Sequence, residues 1–252
     1  MLERTFHTPL PLELEVGIPS GGIEVETAEG EESNITVDGD ERLLEEVEIR
    51  HDGDRLVVAY RGKGKFGFSL SPLSIVFGGE LRVRARVPHG AGLKVKTASA
   101  DTRLDGSFGQ LGINSVSGDV RLSGEAAAGT LKTVSGDAHL DRVRGDVTAQ
   151  TVSGDVRIGP VGGSAEAKTV SGDIRFQSLT AGDAHFTSVS GDVEIGIAHG
   201  SALDVDAGST SGDLSSEVPL GSEPVHGEGE PVPTVVLRGR TVSGDVKVFR
   251  AG

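Results

Sequence analysis

Apolar and polar residues alternate along most of this chain at the interval of two that suits a strand, and not at the interval of about 3.6 that suits a helix. After residue 92 the alternating segments are short and come in pairs, for example Val156-Arg157-Ile158 followed by Ala165-Glu166-Ala167-Lys168. Successive side chains of a strand point to opposite faces of its sheet, so each segment can bury one face and expose the other. The pattern predicts an all-β protein.

The paired segments are separated by a recurring Ser-Gly-Asp tripeptide, with a degenerate copy at Ser99-Ala100-Asp101. Its serines recur at one constant interval as far as Ser171, and the intervals then lengthen: Ser99, Ser117, Ser135, Ser153, Ser171, Ser190, Ser211 and Ser243. The constant interval of about 18 residues suits one coil of a solenoid, whose stacked coils pair in parallel at about 4.8 Å and bury apolar ladders together. We therefore predict a single-stranded parallel β-solenoid (β-helix) with about 18 residues per coil.

The glycine of each tripeptide has a mechanical explanation. A turn that recurs in every coil needs a backbone position that tolerates positive φ, and glycine adopts it without steric cost. We assign this structural role to Gly118, Gly136, Gly154, Gly172, Gly191, Gly212 and Gly244.

The chain before the repeats also has strand character. Alternation is clear in Leu12–Val16, Ile23–Glu26 and Leu56–Val58, and Gly21-Gly22 is a turn signal between the first two. We interpret these segments as antiparallel strands. Residues 1–90 are expected to form an N-terminal β-strand region that caps the solenoid.

Residues 91–252 are expected to form the solenoid itself. Prolines, glycines and glutamates crowd between residues 214 and 233, which predicts a flexible surface insertion there. After it comes one more repeat, Thr241 to Phe249, which we expect to close the array.

Residues 62–78 concentrate bulky apolar residues beside several glycines, and Phe66, Phe68 and Phe77 are the largest. One interpretation is an exposed loop that contacts a partner or a membrane surface. The other is a plug over the open end of the solenoid. We favour the plug, because every solenoid must cover its terminal coil.

The aspartates of the repeat form a predicted column of carboxylates. Asp119, Asp137, Asp155 and Asp173 could line a calcium ladder. The alternative, which we favour, is structural: each aspartate accepts a hydrogen bond from a backbone N–H group of its own turn. A basic column two residues later would offset the repulsion between the carboxylates, and it consists of Arg103, Arg121, His139, Arg157 and Arg175, with Glu194 interrupting it.

An outward polar column is interpreted as a solvated face, and it consists of Lys96, Asn114, Lys132, Gln150 and Lys168.

Composition narrows the possible partners. The net charge of −14 makes nucleic acid an unlikely partner, because nucleic-acid binding depends on lysine and arginine at the phosphates. The absence of cysteine excludes disulfides and thiolate metal sites. The seven histidines show no metal-ligand spacing, and no nucleophile motif stands out, so we expect no cofactor and no enzyme activity. No segment has the length of a signal peptide core or of a transmembrane span, which predicts a cytoplasmic protein.

Three features of the layout point to a known family. They are Gly22-Ile23-Glu24-Val25, the strand that ends in Val87-Pro88, and tandem Thr-Val-Ser-Gly-Asp-Val units such as Thr151 to Val156 and Thr241 to Val246. In these features the chain resembles a bacterial family of β-strand-repeat proteins labelled "putative adhesin", otherwise of unknown function. The resemblance covers nearly the whole chain. It implies the repeat architecture and, from the label, surface attachment, and it implies no catalytic residues.

Three functions stay open at this point. The first is a non-enzymatic structural or interaction scaffold that binds itself as a homo-oligomer or binds a protein partner. The second is a binding module for a glycan or for another component of the cell envelope. The third is a polysaccharide-active β-helix enzyme, which we place last because the acids sit on the repeat itself.

Overall fold

The computed structural model describes residues 1–62, 79–218 and 233–251, and within these ranges the chain forms 19 strands and one helix of four residues. The all-β prediction is confirmed, and so is a predominantly parallel arrangement of the strands. No helix in the described ranges is long and apolar enough to cross a membrane. The chain divides into two compact units, Met1–Gly124 and Glu125–Gly252. The boundary after residue 90 between a capping region and a repeat region stays a prediction.

The N-terminal unit is organised around its second strand. Its elements are β1 (Leu2–His7), β2 (Glu13–Ala28), β3 (Glu32–Gly39), α1 (Glu41–Leu44), β4 (Val47–Asp52), β5 (Arg55–Tyr60), β6 (Leu81–Pro88), β7 (Gly92–Ser117) and the start of β8 (Val120–Lys132). Strand β2 pairs in parallel with β7 on one side and with β5 and β6 on the other. The early strand β2 is therefore enclosed by strands that follow it in the chain.

The antiparallel arrangement expected for the alternating segments before the repeats is wrong for β2, which pairs in parallel with β5 and β6. Leu14 pairs in parallel with Leu56, and Ile23 pairs in parallel with Val83. Antiparallel pairing joins β1 to β3, β3 to β6 and β4 to β5. Alternation along a strand reports which face is buried and carries no information on the direction of the neighbouring strand.

Gly21-Gly22 does not reverse the chain into a hairpin. Ser20, Gly21 and Gly22 pair with Ser99, Ala100 and Asp101, so they form a further copy of the bend made by Ser-Gly-Asp. Gly21 has a φ of +120°, close to the values of the repeat glycines. The sequence pattern missed this copy because glycine replaces the aspartate.

The C-terminal unit is built from short parallel strands. After the end of β8 come β9 (Ala138–Leu140), β10 (Val147–Gln150), β11 (Val156–Val161), β12 (Ala165–Lys168), β13 (Ile174–Leu179), β14 (Gly182–Ser190), β15 (Val193–Ile197), β16 (Ala202–Ser211), β17 (Leu214–Ser216), β18 (Thr234–Ser243) and β19 (Val246–Arg250). Val156 pairs with Ala138 of the preceding repeat on one side and with Ile174 of the following repeat on the other. Equivalent positions of successive repeats are therefore neighbours in the sheet.

The core of this unit consists of ladders of inward side chains. Ile158 pairs with Leu140 and with Phe176, and all three are buried. Large and small residues complement one another: the ring of Phe186 lies where a Cβ at Gly239 would stand. Such ladders bury apolar surface between neighbouring repeats, which no single repeat could do for itself.

The last repeat does not close the array, contrary to the expectation from its place in the chain. Strand β18 pairs with β14 on one side and with β16 on the other, and β19 lies in the same way between β15 and β17. Although β16 and β17 precede them in the chain, the final strands β18 and β19 lie between these strands and the earlier strands β14 and β15. Leu214–Ser216, at the start of the predicted insertion, is strand β17. Residues 219–232 of the predicted insertion lie outside the described residues.

The seven turn glycines have φ values between +115° and +149°. At Gly154 a second constraint is visible, because an added Cβ would overlap the carbonyl oxygen of Gly136 in the preceding repeat. Glycine is needed both for the turn and for the close approach of neighbouring repeats.

Replacing Gly154 with Val should destabilise the protein by about 2–3 kcal/mol or prevent folding, because the variant combines backbone strain with a steric clash. Gly208→Ala is the matched control, since φ at Gly208 is not positive and no atom lies within 4 Å of its added Cβ. The free energy of unfolding from denaturant titration measures both changes. Equal stability of the Gly154 variant and the wild type would contradict the turn geometry.

Strands β18 and β19 should exchange their amide hydrogens slowly although they lie near the C-terminus. Each of them is hydrogen-bonded on both sides, whereas chain ends usually fray. Native-state hydrogen exchange read by mass spectrometry should show more protection in β18 than in β16. Faster exchange in β18 than in β16 would contradict the inserted position.

Candidate functional site

The Thr-Val-Ser-Gly-Asp turn distributes its side chains in a fixed way. The threonine points inward and is buried, as at Thr133, Thr151 and Thr241. Its hydroxyl donates a hydrogen bond to the carbonyl oxygen of the serine two residues later, for example from Thr151 to Ser153 at 3.1 Å. The bond satisfies a buried hydroxyl and holds the bend, so the threonine has a structural role.

The aspartates form a ladder of hydrogen bonds between repeats. In the C-terminal unit the backbone N–H of Asp155 donates to Oδ1 of Asp137 at 2.8 Å, and that of Asp173 donates to Oδ1 of Asp155 at 3.0 Å. The ladder continues through Asp192, Asp245 and Asp213, in the spatial order that the inserted strands impose. In the N-terminal unit Asp119 donates to Asp101 in the same way, at 3.1 Å.

This geometry corrects the expected hydrogen bond within each turn. Each carboxylate accepts from the amide of a neighbouring repeat, 18 or more residues away, and so ties two repeats together. Oδ1 of Asp137, Asp155 and Asp173 is therefore already committed to the backbone. Among the described residues, no three His, Asp or Glu side chains are grouped so that they could hold a metal ion. The arrangement favours the structural interpretation of the column over a calcium ladder.

Only some residues of the basic column form ion pairs with the aspartate of their own repeat. Arg157 Nη2 lies 2.7 Å from Oδ2 of Asp155, as the offset of two residues predicts. Arg175 instead contacts Glu194 of the next repeat at 2.5 Å and lies over the ring of Phe249. These pairs are half-exposed, so each contributes at most about 1 kcal/mol.

The valine of each turn points outward and stays exposed. In the C-terminal unit we name this set the valine ridge, and it consists of Val134, Val152, Val170, Val189 and Val242. Their exposed fractions lie between 45% and 52%, whereas most other apolar side chains are buried. The serines that follow them pair from repeat to repeat, so the valines are neighbours in space. An apolar line on the surface of an acidic protein is a candidate contact surface.

A shallow groove of about 550 Å³ runs beside the valine ridge. We name it the lysine groove, and it is lined by Lys132, Thr133, Gln150, Thr151, Val152, Lys168, Thr169, Val170 and Thr187. Gln150 pairs with Lys132 on one side and with Lys168 on the other, so the two lysines stand two strands apart in one row. The same row continues through Thr187 to Arg240.

A second groove, in the N-terminal unit, carries mixed charge. Arg84 lies 3.4 Å from Glu24 and 3.4 Å from Asp38, on the strands that flank it. Arg103 stands opposite Glu24 on the other side. Opposite charges across neighbouring strands stabilise a sheet and leave little net field for a ligand.

Several residues of the lysine groove can be recognised as recurring positions in the sequence, but the sequence does not show that they line a groove. The Thr-Val-Ser-Gly-Asp-Val units place a valine before each serine, but the exposure of this valine depends on which side of the bend it occupies. The sequence pattern predicts a solvated face for Lys132, Gln150 and Lys168, whereas their position beside the valine ridge makes them the wall of a groove. The other candidate contact residues, Phe66, Phe68 and Phe77, lie outside the described residues.

Asp155→Ala should lower the free energy of unfolding by about 1–2 kcal/mol, because it leaves the amide of Asp173 without its acceptor. Asp155→Asn keeps an oxygen at this position and should stay within about 0.5 kcal/mol of the wild type. Denaturant titration of both variants measures the difference. The calcium interpretation would gain support if millimolar calcium raised the melting temperature of the wild type and did not raise that of the Asn variant.

Two solved bacterial structures are similar to this chain over nearly its whole length and share little sequence with it. A putative adhesin from Bacteroides fragilis superposes with a TM-score of 0.57 at 14% identity, covering 98% of this chain and 96% of that one. A putative adhesin from Parabacteroides distasonis gives a TM-score of 0.46 at 15% identity, covering 98% of this chain and 96% of that one. No protein of curated function matches in sequence. The family profile described as Toastrack DUF4097 matches residues 13–249, and the chain therefore belongs to this family.

Proposed function

We propose that this protein is a non-enzymatic interaction scaffold, built as a single-stranded parallel β-solenoid with about 18 residues per coil. The observation that carries the proposal is the valine ridge, which presents the same apolar side chain at each successive repeat. A regular backbone turns one sequence motif into a line of identical contact points, and such a line suits an extended partner or a second copy of the chain.

The solenoid part of the proposal is supported by the strand register. Val147 pairs with Ala165, and Val156 pairs with Ile174, so both strands of a repeat advance by the same interval that separates the aspartates of the ladder. Where the repeat is one residue longer, the pairing shifts by one residue between Phe176 and Leu179. One extra residue is thus absorbed by a local shift of register within β13, and the strands stay paired on both sides of the shift.

The non-enzymatic part is supported by how the regular polar groups are used. The carboxylates of the turns accept backbone hydrogen bonds, and the inward threonines hold the bends. These groups already have structural partners, so their repetition is explained without a reaction. The cytoplasmic location expected from the sequence stays a prediction.

The valine ridge supports an apolar contact. About half of the surface of each valine residue is exposed to water, and covering apolar surface contributes about 25 cal/mol per Å². The net charge of −14 opposes the approach of a second copy, and salt screens this repulsion. Self-association through the valine ridge should therefore strengthen as the salt concentration rises.

Static light scattering across a hundredfold range of protein concentration tests this surface. The wild-type mass should rise with concentration, more steeply at high salt. A variant with Val152→Thr, Val170→Thr and Val189→Thr should scatter as a smaller species at the same concentration, because the exchange removes apolar surface at exposed positions. A constant monomer mass at every salt concentration would contradict self-association through the valine ridge.

A further inference from the structure

We infer that the lysine groove binds an acidic polysaccharide whose carboxylates lie on alternate sugar rings, one at Lys132 and the next at Lys168. The inference rests on the proposed scaffold, because it needs a surface that holds its ligand without cleaving it. It adds the chemical class of the ligand and the residues that distinguish that ligand from others.

The charge of the groove is the first argument. The chain has a net charge of −14, yet the residues that line this groove include two lysines and no carboxylate. The lysines occupy the same register two strands apart, which separates their positions by about 9.6 Å. Arg240 follows at the same interval beyond Lys168, with Thr187 between them. The row that contains the two groove lysines and continues to Arg240 therefore carries a cation at every second strand.

The uncharged lining is the second argument. Gln150 and Thr187 stand between the cations and can exchange hydrogen bonds with sugar hydroxyls. Val152 and Val170 form an apolar ledge along the groove, which suits the C–H face of a pyranose ring. A ring in an extended glycan advances by roughly one strand spacing, so a charged ring would meet a lysine and its neutral neighbour would meet Gln150 or Thr187.

Glu166 is an internal competitor for the ligand. Its carboxylate forms an ion pair with the ammonium group of Lys168, on the same strand. The pair is half-exposed, so it is weak enough for a ligand carboxylate to displace it. Removing the charge of Glu166 should therefore strengthen binding by more than the general effect of one negative charge fewer on the protein.

Other anionic ligands fit the groove less well. Single-stranded nucleic acid needs aromatic platforms for its bases and a denser row of cations, and the lining residues include no aromatic side chain. Anionic bilayers are held by clusters of about 4–8 basic residues, and this groove has two. A sparse row of lysines suits the single carboxylates of a uronic acid polymer.

The test uses the full chain and a fluorescent hyaluronan octasaccharide, in which glucuronate alternates with a neutral amino sugar. Fluorescence anisotropy at low salt should show binding that weakens as salt rises. Lys132→Gln and Lys168→Gln should each reduce the affinity about three- to fivefold, and Glu166→Gln should increase it about two- to threefold. Lys247→Gln is the matched control, because Lys247 carries the same charge on β19 and pairs there with Glu217. It should leave the affinity unchanged.

Several outcomes would overturn the inference. They are no binding of the octasaccharide, an equal loss in the Lys247 and Lys168 variants, equal binding of a neutral chitin oligosaccharide, and tighter binding of single-stranded DNA or of phosphatidylserine vesicles. The length of the octasaccharide after incubation is measured in parallel. Shortened hyaluronan would overturn the non-enzymatic scaffold itself, whereas intact hyaluronan without binding would overturn the inference alone.

Discussion

The hydrogen bond from one aspartate amide to the aspartate carboxylate of the preceding repeat sets the register on which the C-terminal unit depends. In a parallel sheet, a slip of one residue would turn every buried side chain outward. The bonds to Asp137 and Asp155, at 2.8 and 3.0 Å, hold successive repeats at one offset. The glycine before each aspartate allows the repeats to approach closely enough for these bonds to form. Stacked carboxylates that would otherwise repel one another are thereby placed against backbone N–H groups.

The register determines both the apolar ladders of the core and the outward columns of the surface. Because equivalent residues are neighbours, the inward residues form ladders, and the outward valines form a continuous ridge. The lysine groove is also a product of register, since Lys132 and Lys168 flank Gln150 only when the repeats pair at this offset. A surface of this kind belongs to several repeats together, and no single repeat contains it.

In both units, one strand near an end of the sequence is paired with neighbouring strands on both of its sides. Strand β2 lies between β7 and the later strands β5 and β6, and β18 lies between β14 and β16. A strand with neighbours on both sides satisfies its backbone groups in the sheet and cannot fray as an edge strand can. Within each unit one strand, β2 or β18, is thus enclosed between two neighbouring strands.

Sequence patterns alone predict the all-β class, the positions of the recurring Ser-Gly-Asp bends and the inward and outward faces of most strands. Alternation and a recurring glycine are local signals, and they depend only on the geometry of a strand and on the conformational freedom of glycine. Tertiary structure alone decided which strands are neighbours: that β2 is parallel to β5, that Ser20-Gly21-Gly22 is a hidden bend, and that the last repeat lies inside the array. It also decided that each aspartate bonds to a neighbouring repeat and that the valines and lysines share one groove. These features are contacts between residues far apart in the chain, and a pattern with a period of two residues carries no information about them.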